Sequence, residues 1–93
     1  MNLNELQYFK ILAQEEHYTR AAQMLSITQP SLSHAIAQLE EELGTRLFEK
    51  KGRNFVLTKY GKLFLKEIEP ILNRLDDSIE NIKQISKGKE TLN

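Results

Sequence analysis

The sequence contains no cysteine, which excludes disulfides and cysteine-ligated metal sites. It has no net charge, with 13 Lys and Arg against 13 Asp and Glu, so overall charge does not point to an acidic or basic partner. No apolar run approaches the length of a membrane span. The opening residues Met-Asn-Leu-Asn-Glu lack the basic and apolar regions of a signal peptide. The expectation is a soluble, cytoplasmic protein with no membrane partner. Glycine is sparse, and Gly44, Gly52, Gly61 and Gly88 form no phosphate loop. His17 and His34 are far apart in the chain and make no metal-ligating pair. Asp76-Asp77 sits on a polar, acidic stretch and reads as solvated surface. No catalytic pair emerges, so neither an enzyme nor a cofactor is expected. A chain of 93 residues makes one small domain with an appendage. Its modest core often gains stability from a partner chain.

What the chain does have is helical periodicity, interrupted by tight turns. Leu6, Phe9, Leu12 and Ala13 recur at helical spacing over Leu3 to about Glu15. Asn2 caps that helix, and Glu5 completes a capping box. A second helix is expected from Thr19, whose hydroxyl can cap it, to Leu25, with Ala21, Ala22 and Leu25 inward. His17 marks the preceding loop. Ser26-Ile27-Thr28 is a turn in which apolar Ile27 plugs the core. Thr28 caps a third helix, and Pro30 lies in its first turn, where a missing N–H is harmless. Leu32, Ile36, Leu39 and Leu43 form its inward stripe, and Gly44 ends it. The period then disappears. Leu47-Phe48 and Phe55-Val56-Leu57 flank Lys51-Gly52-Arg53-Asn54, the pattern of a short β-hairpin with a basic tip.

From Thr58 onward Phe64, Ile68, Ile71, Leu75, Ile79, Ile82 and Ile85 are spaced three or four apart and average 3.5 residues. That is the coiled-coil period. The first six are the candidate dimerisation residues. Pro70 predicts a kink near Lys66 to Pro70, or a break into two helices. The helix should fade near Lys87-Gly88, with a frayed tail beyond. Charge is segregated along this half of the chain. Gly44 to Lys66 holds seven basic residues against one acid, whereas Glu67 to Ile82 holds five acids against one base. A basic segment can meet phosphates, although a charge run can equally be a solvated face.

Two short helices joined by a tight turn make a helix-turn-helix, which binds duplex DNA through its second helix, and the basic hairpin that follows supports that reading. With the apolar stripe of the third helix turned inward, the opposite face centres on Pro30, His34, Ala37, Gln38 and Glu41. Gln29, Ser31 and Ser33 flank its leading end. Gln pairs with the adenine edge, and Ser donates or accepts at several bases. Glu40, Glu41 and Glu42 lie at the far end, so the helix should enter the groove by its N-terminal half. Lys50, Lys51 and Arg53 form a narrow basic wing suited to a minor groove, where negative potential is deepest. The competing expectation is a dimeric coiled-coil interaction module without DNA binding. A basic hairpin beside a small-polar helix start argues for DNA.

The residues Leu6-x-x-Phe9, Thr19-x-Ala-Ala22, Leu25, Gln29-Pro-Ser-Leu-Ser33, Leu39-Glu-x-x-Leu-Gly44, Leu47-Phe48 and Leu57-Thr-x-x-Gly61 follow one another in unbroken register. In this order the chain closely resembles the N-terminal DNA-binding region of LysR-type transcriptional regulators. The resemblance implies a mainly α fold: three helices, a short β-hairpin wing and a long linker helix that pairs two subunits. It implies base contacts at Gln29, Pro30, Ser33 and His34, wing contacts at Arg53, and backbone contacts at Thr28 and Ser31. Three positions depart from the family pattern. His34 and Lys50 stand where arginine is common, and Tyr60 where a small residue is frequent. The implied organisation is a DNA-binding domain over 1–58, a linker helix over 59–87, and a hinge over 88–93 toward an absent effector domain, with Thr91-Leu92-Asn93 opening its first strand. Implied partners are a partly palindromic duplex and a second copy, with dimer and tetramer both open for a full-length protein. A small-molecule effector would act only through the absent domain.

Overall fold

A computed structural model describes residues 1–88. Its elements, in chain order, are α1 (Leu3–Glu15), α2 (Tyr18–Leu25), α3 (Gln29–Leu43), β1 (Phe48–Lys51), β2 (Asn54–Leu57) and α4 (Lys59–Ser86). The proposed hinge and strand start fall mostly on residues 89–93, outside the described part.

Each helix start has a local chemical cause. The Asn2 side chain accepts a hydrogen bond from the Glu5 N–H at 2.9 Å. The reciprocal half of the expected capping box is not made, because the Glu5 carboxylate faces the Met1 ammonium at 3.9 Å. Helix α2 starts one residue earlier than expected. Its cap is His17, whose Nδ1 accepts from the Arg20 N–H at 3.3 Å. Imidazole Nδ1 stands as many bonds from the backbone as an asparagine oxygen does, so it reaches the same amide. His17 is therefore a cap rather than a loop marker, and Thr19 lies exposed in the first turn. Thr28 and Thr58 cap α3 and α4 through their hydroxyls. Between α2 and α3, Ser26 turns the chain at φ 58, and Ile27 packs on the core as expected.

The inward stripes meet in one core of Phe9, Leu12, Ala21, Ala22, Leu32, Ile36, Leu39, Leu47, Phe48, Ile68 and Leu72. The Phe9 ring lies 5.5 Å from Phe48 and 5.3 Å from Phe64, so it joins hairpin and linker helix to α1. The hairpin is antiparallel, pairing Phe48 with Leu57 and Lys51 with Asn54. Its tip is Gly52-Arg53, with Gly52 at φ 65. A glycine at the first central position matches the twist of two antiparallel strands.

Helix α4 is continuous for 28 residues and runs through Pro70 without a break. Pro70 and Lys66 are both exposed, so water can satisfy the Lys66 carbonyl that proline leaves unpaired. The first half of α4 docks on the body. Gly61, Ile68 and Leu72 are buried there, and Phe64 and Leu65 pack against the core. Of the expected dimer-seam residues, Ile68, at 7 % exposure, lies in the core of its own chain, and half-buried Phe64 packs against that core. Gly61 marks the closest approach. A Cβ there would overlap the Leu47 carbonyl oxygen and come within 2.9 Å of Leu57 Cδ2. The Lys10 Nζ bonds Asn73 Oδ1 at 2.9 Å and pins α1 to α4. Beyond this point Ile71, Ile79, Ile82 and Ile85 stand exposed, with Leu75 half-buried.

Candidate nucleic-acid interface

Burial divides α3 into two faces. Leu32, Ile36 and Leu39 are buried, while Gln29, Pro30, Ser31, Ser33, His34, Ala37 and Gln38 line the other side, all of them exposed. The exposed face carries amide, hydroxyl and imidazole groups on short side chains, a set that hydrogen-bonds base edges. At its leading end Thr28 Oγ1 accepts from the Ser31 N–H at 3.2 Å, and the Thr28 hydroxyl donates to Ser31 Oγ at 2.9 Å. These two hydroxyls thus order the first turn. The remaining N–H groups and the positive end of the helix dipole face outward, a setting that favours phosphate.

The hairpin supplies the charge. Lys50, Lys51 and Arg53 are exposed, and among the described residues none of them forms an ion pair. The Lys50 Nζ lies 5.8 Å over the Phe55 ring. Phe55 in turn meets Tyr18 edge-on, with ring centroids 4.7 Å apart. A surface depression between α3 and the hairpin is lined by Tyr18, Gln29, Ser33, Glu40, Arg46 and Phe55. The structure thereby brings Gln29 and Ser33 to the foot of the wing. The exposed residues Thr28, Gln29, Pro30, Ser31, Ser33 and His34 surround buried Leu32, whereas Lys50, Lys51 and Arg53 do not line the depression. Burial, reinforced by the Glu40 carboxylate, raises the Tyr18 phenol above its ordinary value, with Arg46 opposing. The phenol thus keeps its proton. Tyr60, one of the departures from the family pattern, is exposed beneath the Lys59 ammonium, 5.5 Å from its ring, and does not disturb packing.

Sequence reasoning missed Glu40. It counted as one of three acids at the far end of α3, yet its side chain is only 14 % exposed. The carboxylate reaches across to the start of β1. No local pattern reveals a bond to amides seven and eight positions away. Its match to the family's Leu39-Glu pair was the one available signal.

The family model for bacterial regulatory helix-turn-helix proteins of the lysR family matches residues 3–62. The chain belongs to that family, as its residues led one to expect. It is 43% identical over 88 residues to the HTH-type transcriptional regulator BudR of Klebsiella aerogenes, covering 95% of this chain and 62% of that protein. To the uncharacterized HTH-type transcriptional regulator YybE of Bacillus subtilis it is 41% identical over 87 residues, covering 94% of this chain and 30% of that protein. The chain therefore spans less than two thirds of the length of these relatives. A crystal structure of BenM_DBD with catB site 1 DNA superposes with a TM-score of 0.84 at 37% identity, over 97% of this chain and 100% of that one. A complex of CbnR_DBD with DNA gives a TM-score of 0.78 at 29% identity, over 92% of this chain and 99% of that one. The winged helix-turn-helix with a long following helix is thus the fold of this chain.

Proposed function

We propose that this chain binds duplex DNA sequence-specifically, as the DNA-binding part of a LysR-type transcription regulator. The observation that carries this reading is the exposed small-polar face of α3 beside a hairpin whose three cations form no ion pair among the described residues. An interaction module built only on helix pairing has no use for that combination. BenM_DBD and CbnR_DBD, both similar throughout, have been solved with DNA.

In this reading the N-terminal half of α3 enters the major groove. Gln29, Pro30, Ser33 and His34 meet base edges, and Thr28 and Ser31 meet the backbone. Arg53 enters the adjacent minor groove, with Lys50 and Lys51 on its phosphates. Two copies pair through the exposed half of α4, at Ile71, Leu75, Ile79 and Ile82, and so bring two recognition helices to a partly palindromic site. Residues 1–58 do the reading and 59–87 the pairing. Such a regulator works in the cytoplasm, on the nucleoid. Tetramer formation and response to a small molecule belong to the longer proteins of the family and lie outside what these residues do alone. Selection of bound duplexes from a random pool tests the reading. Enrichment of a two-fold-related sequence is expected, and failure to retain any duplex at low salt would overturn it.

A further inference from the structure

We propose that Glu40 is a positioning residue that fixes the hairpin relative to α3, so that wing and recognition helix engage DNA together. The inference rests on the DNA-reading function above and adds a residue that touches no DNA in that reading.

The geometry is specific. Glu40 Oε2 accepts from the Leu47 N–H at 2.7 Å and from the Phe48 N–H at 3.3 Å. Its Oε1 pairs with Arg46 Nε at 3.3 Å, and Arg46 Nη2 donates to the Phe48 carbonyl at 3.3 Å. Leu47 and Phe48 are each 1% exposed, so their amides need an acceptor within the chain. A carboxylate supplies a charge-assisted one, stronger than a neutral acceptor. The same segment is held from its other side. The Thr58 hydroxyl donates to the Arg46 carbonyl at 2.7 Å, and the Thr58 N–H to the Leu47 carbonyl at 2.9 Å. The base of the hairpin is thus gripped between α3 and the start of α4.

Among the described residues, every polar bond from α3 to residues 46–57 ends on the Glu40 side chain. Beside the two Thr58 bonds to the start of α4, a bond from the Phe55 N–H to the Glu16 carbonyl at 2.9 Å runs to the α1–α2 turn, so neither of these ties reaches α3. A two-stranded hairpin has little stiffness of its own. Without Glu40 its tip keeps its charges but loses its fixed offset from α3. Each wing contact must then first order the hairpin, and preorganised affinity is lost.

Because the chain has no cysteine, Q38C and K51C place spin labels on α3 and the wing without a background substitution. The distance distribution between them, measured without DNA, should be narrow in the parent, broad in E40A and narrow again in E40Q, whose amide oxygen still accepts from both N–H groups. The second arm uses DNA affinity. R53A should weaken binding about tenfold in the parent and in the E40Q background, but less than about threefold in the E40A background, since coupled positions are not additive. A distribution as narrow in E40A as in the parent would overturn the proposal, and so would an undiminished R53A effect. Should E40A not fold, E40M removes the acceptor while keeping the length. Loss of the fold in both variants would assign Glu40 to folding and likewise overturn it. A parent that binds no duplex defeats the DNA-reading function instead, and the label distances still decide the role of Glu40.

Discussion

The face of α3 makes its residues separable by experiment. Gln29→Ala is expected to weaken binding to a selected duplex by about 1–3 kcal/mol and to relax the choice of base at one position. Equal losses on selected and random DNA in a titration would remove Gln29 from the base-reading set. Arg53→Ala should act on all duplexes alike and lower the slope of log K against log salt by about 1. Tyr18 gives a pH test of the fold. Its raised value means that the folded chain holds the phenolic proton where the unfolded chain has begun to lose it. The contribution is intact below the ordinary tyrosine range near 10.0 and is lost as pH rises through the higher folded value. Thermal melts above about pH 10 should therefore fall faster for the parent than for Tyr18→Phe, which keeps the ring on Phe55. Parallel curves would refute this. At this scale the exposed set from Gln29 to His34 was legible, because helical spacing alone assigns a residue to a face. The His17 cap and the Glu40 bridge were not. The first uses a residue type with weak cap preference, and the second depends on a tertiary approach.

Among the elements, α4 presents apolar residues on two neighbouring faces, one covered by the body and one exposed. A single 3.5-residue average merged them. Gly61, Leu65, Ile68 and Leu72 face the body, whereas Ile71 and Ile82 look outward from the same helix. The sequence periodicity could establish that α4 was long and amphipathic, but only the packing of α1 and the hairpin shows which apolar residues they cover. Ile68→Ala should destabilise the isolated fold by about 2–5 kcal/mol through the cavity it leaves. Ile71→Lys with Ile82→Lys should leave the fold intact and abolish pairing. Sedimentation checks that pair, and an unchanged association constant would exclude this face as the seam. Gly61→Ala pushes a methyl group against the Leu47 carbonyl. It should lower stability by about 1–3 kcal/mol, as overpacking does, in a denaturant titration. Its backbone segment is the one Glu40 holds, so the wing should shift as well.

For the molecule as a whole, a radius of gyration of 15.7 Å and extents of 53 × 25 × 20 Å exceed the about 12 Å radius of a compact chain this long. The excess is the undocked half of α4. Function and folding therefore divide the chain at different places. Reading DNA is assigned to residues 1–58, yet the core needs Ile68 and Leu72. A chain ended after Thr58 should fail to fold, whereas one ended after Asn73 should fold and stay monomeric. Circular dichroism and light scattering distinguish the two, and a folded 1–58 fragment would contradict the core as drawn. Zero net charge hides a local segregation, with seven basic residues against one acid from Gly44 to Lys66 and five acids against one base from Glu67 to Ile82. The docked and undocked halves of α4 also have a mechanical consequence. From Leu72 to Ser86 the helix extends about 21 Å at 1.5 Å per residue. That rod is a lever with its fulcrum at the core, and a tilt of about 10° sweeps its end through about 4 Å, close to one base-pair step of about 3.4 Å. A small rotation imposed at the far end of a paired rod would change the stagger of the two reading heads by a whole step.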